Sequence, residues 1–64
     1  MPLNRVKLAR LEKGFTQQEL ARRTNVTRQT ISLIESSKYN PSLQLCIDLA
    51  KALEKTLDEL FWEE

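Results

Sequence analysis

The sequence predicts an all-α fold, five short helices packed as a compact bundle around one core. Three observations predict it. Capping residues (Asn4, Thr16, Thr27, Ser42 and Thr56) each stand just before a run with helical apolar spacing. Gly14, Asn25 and Pro41 interrupt those runs where a chain turns. No stretch alternates apolar and polar residues as a half-buried strand would. No repeat, low-complexity tract or linker divides the chain either, so residues 1–64 read as a single domain.

The first helix is expected over residues 3–13, with Asn4 as N-cap and Leu3 and Leu8 at the two positions of a hydrophobic staple. Val6, Ala9, Arg10 and Lys13 share one face, while Leu8 and Leu11 point elsewhere. Gly14 is the natural left-handed residue to end it. The second helix spans residues 15–24. Thr16 and Glu19 form a capping box, Phe15 and Leu20 a staple, Leu20 and Ala21 face the core, and Arg22 and Arg23 face outward. The turn Thr24-Asn25-Val26 puts asparagine, the best non-glycine residue for a positive φ, at the corner. The third helix spans residues 27–35 from a Thr27 cap, with Val26 and Ile31 as staple and Ile31 and Ile34 on the core face. A loop follows, which Pro41 keeps extended. The fourth helix covers residues 42–53, with Cys46, Leu49, Ala50 and Leu53 as core and Leu43, Leu45 and Ile47 broadening the stripe. Residues 56–61 form the fifth, opened by a Thr56–Glu59 capping box and carrying Leu57, Leu60 and Phe61.

Composition narrows the function. With no histidine and one cysteine, a metal site is not expected and a histidine-assisted nucleophile has no base, and no glycine-rich phosphate loop is present. No enzyme, cofactor or small-molecule ligand is implied. Cys46 reads as a small core residue, and Asp58 and Glu59 as acids favoured in a helix first turn. No apolar run is long enough for a bilayer and the N-terminus lacks a hydrophobic signal region, so a cytoplasmic protein away from the membrane is expected. The formal charge of +1 conceals an asymmetry. Residues 1–40 carry eight basic and three acidic side chains, whereas residues 41–64 carry two basic and six acidic ones. A basic front and an acidic back would orient the molecule on a polyanion.

The polyanion that fits is double-stranded DNA. A short helix enters the major groove and its first turn reaches deepest. There the third helix offers Gln29, able to pair with adenine through both amide groups, and Arg28, able to grip guanine or a phosphate. Thr27, Thr30 and Ser32 add hydroxyls, and Leu33 an apolar group for a thymine methyl. Gln17 opens the second helix, where free N–H groups suit a backbone phosphate. Lys38, Tyr39 and Asn40 follow the reading helix and could hold the backbone on its other side.

The pattern F-T-Q-Q-E-L-A-x-x-T-x-V-T-R-Q-T-I-S-x-I-E, followed by K-Y-N-P-S-L and L-D-E-L-F, resembles the phage repressor and Cro helix-turn-helix family, and especially its small stand-alone regulators. The resemblance spans about residues 4–62. It implies a lambda-repressor-like five-helix fold whose second and third helices bind DNA, commonly as a dimer on an operator. It implies a phosphate contact for Gln17, base or groove contacts for Thr27, Arg28, Gln29, Thr30 and Leu33, and backbone contacts for Lys38 and Asn40. Ala21, Val26 and Ile31 match packing positions between the two helices, and Glu35 matches an acidic position that would partner Arg10. The family often has glycine where Ser37 and Glu54 stand. Either those turns differ here or the fourth helix runs on through Glu54. Lys55 also replaces a usual apolar residue.

The expected function is a transcriptional regulator, a repressor by preference, acting as a homodimer. The alternative is an antitoxin-like or adaptor module of the same fold whose ligand is a protein. Leu8, Leu11, Phe61 and Trp62 are the candidate dimer surface, and closing the core beside Phe61 is the second-choice role for Trp62.

Overall fold

The computed structural model describes residues 4–61. The expected five helices are there, in order α1 (Val6–Lys13), α2 (Gln17–Arg23), α3 (Arg28–Glu35), α4 (Leu43–Leu53) and α5 (Leu57–Phe61). Among the described residues no helix is long and apolar enough to cross a membrane.

The starts follow their caps. Thr16, Thr27 and Ser42 each accept the N–H three residues on, at 3.0–3.2 Å. That satisfies amide groups a helix start leaves without partners. The Thr56–Glu59 box closes in both directions, at 3.1 and 2.8 Å. The Thr56 N–H bonded to Glu59 holds that carboxyl below its ordinary pKa. The Thr16–Glu19 box closes only from the threonine side. Glu19 instead pairs with Arg23 at 3.1 Å, because Arg23 lies over the Phe15 ring, 4.4 Å from its centroid, one turn away.

α1 starts later than residue 3. Asn4 still accepts the Val6 N–H at 3.0 Å, but its amide also donates to the Ile34 carbonyl, and the Arg5 N–H donates to the Leu60 carbonyl at 2.9 Å. These ties hold the entering chain against α3 and α5 and keep it from winding. The expected staple through Leu3 lies outside the described residues.

Four helices end in one motif. A left-handed residue closes each end, directly after the helix at Gly14 (φ 75°) and Glu54 (57°) and one residue later at Asn25 (61°) and Ser37 (60°). In each case that residue and the next donate N–H groups back to the last turn, as for Ser37 to Ile34 (3.0 Å) and Lys38 to Leu33 (2.9 Å). Ser37 and Glu54 therefore neither alter their turns nor extend α4, but adopt the glycine conformation with a Cβ. Replacing either by glycine removes that strain against a gain in unfolded-chain entropy. Ser37→Gly and Glu54→Gly are each expected to raise stability by about 0.5–1 kcal/mol in urea denaturation.

The core is built on α4, whose Leu45, Leu49 and Leu53 meet Val6 and Ala9 of α1, Leu20 and Ala21 of α2, Ile31 and Ile34 of α3 and Leu60 of α5. Leu45, expected only to broaden the stripe, is buried, and Cys46 is half-buried at the stripe's edge. Leu45, Leu49 and Leu53 recur every four residues, and that row faces inward. Burial pushes the Cys46 thiol pKa up. Leu8 and Leu11 are each 56% exposed. Phe61 is half-buried and packs against the core, and Trp62 lies outside the described residues. Lys55 reaches Glu12 (3.3 Å) and Lys13 reaches Glu54 (2.9 Å), exposed pairs linking α1 to the α4–α5 turn and contributing little each.

Candidate nucleic-acid interface

α2 and α3 pack more extensively on each other than any other pair of helices. Ala21 and Ile31 are wholly buried, Val26 fills the corner, and Thr24, buried in the turn, donates its hydroxyl to the Leu20 carbonyl at 2.8 Å. The two helices therefore move as one unit. Ile31 and Ile34 anchor α3 from behind and turn the opposite face outward. On that face Arg28 and Gln29 are exposed, and Ser32 and Leu33 half-buried. Thr27 and Thr30 share a hydroxyl–hydroxyl bond of 3.0 Å, so one hydroxyl partly commits the other. Lys38, Tyr39 and Asn40 are exposed in the loop after α3.

Behind this face lies an ion pair with little access to water. Arg10 Nε donates to Glu35 Oε2 at 2.7 Å, with side chains 9% and 5% exposed. Arg10 also donates to the Phe15 carbonyl at 2.8 Å, tying α1 to the entrance of α2. The expected partnership of Arg10 and Glu35 is thus in place. The network goes further, because Gln17 Nε2 donates to Glu35 Oε1 at 3.1 Å and Arg28 Nη1 donates to Gln17 Oε1 at 3.2 Å. Gln17 and Arg28, assigned separate roles from the sequence, are joined. Lys7 and Ser36 escaped the sequence reading. With Gln17, Ser32 and Glu35 they line an open recess of about 240 Å³ at the edge of the reading face. The signal for Lys7 was its place three residues before Arg10, which puts both on one side of α1.

A family model described as helix-turn-helix matches residues 6–60. The chain belongs to the helix-turn-helix family of the phage-repressor and Cro type. An uncharacterized HTH-type transcriptional regulator of Bacillus subtilis, YgzD, is 39% identical over 61 residues, covering 95% of this chain and 92% of that protein. The immunity repressor protein of Bacillus phage phi105 is 37% identical over 94% of this chain, which spans 42% of the repressor. Among solved structures, the biofilm master regulator SinR in complex with DNA superposes with a TM-score of 0.77 at 33% identity, covering 83% of this chain and 86% of that one. This helix-turn-helix chain has the five-helix, lambda-repressor-like fold of its family.

Proposed function

We propose that this helix-turn-helix protein is a sequence-specific regulator that lays α3 in the major groove of double-stranded DNA, acts as a homodimer on a palindromic operator and represses what it covers. The observation that carries this reading is the outward face of α3. Arg28 and Gln29 stand exposed on its first turn, while Ile31 and Ile34 hold its back in the core. Base edges in the major groove need donors and acceptors together in a plane, which Gln29 and Arg28 supply. Thr27, Thr30, Ser32 and Leu33 complete the groove contacts. Gln17, Lys38, Tyr39 and Asn40 serve the backbone on either side. The phage repressor's name supports repression, and cytoplasmic DNA is the expected place of action.

Gln29→Ala is expected to cost about 1–3 kcal/mol on the preferred sequence and to relax base preference at one position. Lys38→Ala should weaken all sequences alike and make the salt dependence shallower. Retardation assays across a salt series measure both. Unchanged binding in both variants would remove α3 and its loop as the reading surface.

A dimer follows from the small footprint of one domain, since two copies on half-sites about 34 Å apart double the contacts. Leu8 and Leu11, exposed on α1, are the residues offered for pairing. Leu8→Ser with Leu11→Ser should leave the fold within about 0.5 kcal/mol of the parent. The same change should shift the mass in solution towards the monomer at micromolar concentration. A parent protein that sediments as a monomer and binds only single half-sites would end the dimer reading.

A further inference from the structure

We infer that Glu35 is a positioning residue for DNA recognition, setting the Gln17 amide and through it the Arg28 guanidinium on the reading face. This rests on the DNA-binding reading above. Four side chains from three helices form one chain of donors and acceptors. Arg10 donates to Glu35 through Nε (2.7 Å) and Nη2 (3.4 Å), Gln17 Nε2 donates to Glu35 Oε1 (3.1 Å), and Arg28 Nη1 donates to Gln17 Oε1 (3.2 Å).

The amide can sit only one way round. An ionised carboxylate only accepts and a guanidinium only donates. Turning the Gln17 amide over would set oxygen against the Glu35 oxygen and NH2 against the Arg28 donors, losing both bonds. The orientation is therefore dictated by its two neighbours, and Glu35 is the one that cannot move. Its side chain is 5% exposed and held by Arg10. Arg28 itself is exposed, and the Gln17 oxygen is what restrains it. Gln17 keeps its second N–H uncommitted, and Arg28 keeps most of its donors for a guanine edge or a phosphate. A long side chain already restrained has less freedom to lose on binding. Glu35 thus does more than compensate Arg10, because one of its oxygens reaches forward to the DNA face.

The test separates this role from a purely structural one. Arg10→Met with Glu35→Leu removes the ion pair as a unit and keeps the site filled, so the fold should survive. On the operator selected by the parent protein, this folded variant is expected to bind about three- to tenfold more weakly. Gln17→Leu should cost the parent more than it costs the double variant, where only the DNA-backbone contact of Gln17 itself is left to lose. Parental affinity in the folded double variant, or a Gln17→Leu cost that is the same in both backgrounds, would overturn the proposal.

A second measurement needs neither DNA nor the double variant. In the unbound parent protein the two Gln17 side-chain NH2 resonances should lie away from their free-glutamine NMR positions and exchange slowly with solvent. In Glu35→Gln molecules that remain folded, recognised by their dispersed methyl resonances, the Gln17 signals should move towards free-glutamine values, and Gln17 protons already exchanging freely in the parent would refute the idea. If the parent binds no DNA, the recognition reading fails and the positioning role with it, whereas the NMR result still reports whether Glu35 orients Gln17.

Discussion

Glu35→Ala is expected to lower the unfolding free energy by about 3–5 kcal/mol, the cost of leaving a buried charge without its partner. Glu35 and Arg10 have 5% and 9% exposed side chains, so water cannot take over the missing bonds. The Arg10 guanidinium would keep only the Phe15 carbonyl, and Gln17 would lose its acceptor. A domain of 64 residues has roughly 3–10 kcal/mol in total at about 0.05–0.15 kcal/mol per residue. The variant should therefore lose at least about a third of its total stability. Replacing both partners by apolar residues should recover most of the loss, since the pair's attraction is offset by the cost of burying two charges. Urea denaturation followed by circular dichroism measures both effects. A loss below about 1 kcal/mol for Glu35→Ala would mean that water screens the pair as it does on an open surface.

Leu49→Ala should cost about 2–5 kcal/mol. Leu49 is wholly buried near the middle of α4, the helix on which the rest of the core is assembled. Removing its branched end leaves a cavity that neighbours from several helices cannot all collapse into. Position decides the outcome rather than residue type. Leu43, on the same helix but 70% exposed, should tolerate alanine with little change. Equal sensitivity at Leu43 and Leu49 in the same denaturation series would contradict the assigned inner face of α4.

Local signals were legible in the sequence because their physics is local. A hydroxyl three residues before the amide it accepts, a staple across one turn, and a glycine or asparagine at a left-handed corner all act within a few residues. So Thr16, Thr27, Ser42, Gly14 and Asn25 stand where their chemistry put them. Ser37 and Glu54 were less legible because a serine or glutamate carries no propensity signal for a left-handed corner, and the hydrogen bonds that close the helix end are what hold them there. Competition also escaped notice: Glu19 had both a backbone N–H and Arg23 within reach, and the charged donor took it. On α4 apolar residues occur on nearly every side, so periodicity alone could not rank Leu45 above Cys46. For the candidate interface, the outward face of α3 could be read from the anchoring of Ile31 and Ile34. The link from Glu35 to Gln17 could not, because it joins residues 18 positions apart through a bond that only the fold creates.

Selection of bound sequences from a random DNA pool, run in parallel for the parent protein and Gln29→Ala, tests most directly whether α3 reads DNA. The expected result is an enriched palindrome with half-sites about 34 Å apart, in which Gln29→Ala relaxes one position of each half-site and leaves the others intact. A pool that shows no enrichment, or a consensus that Gln29→Ala leaves unchanged, would contradict it.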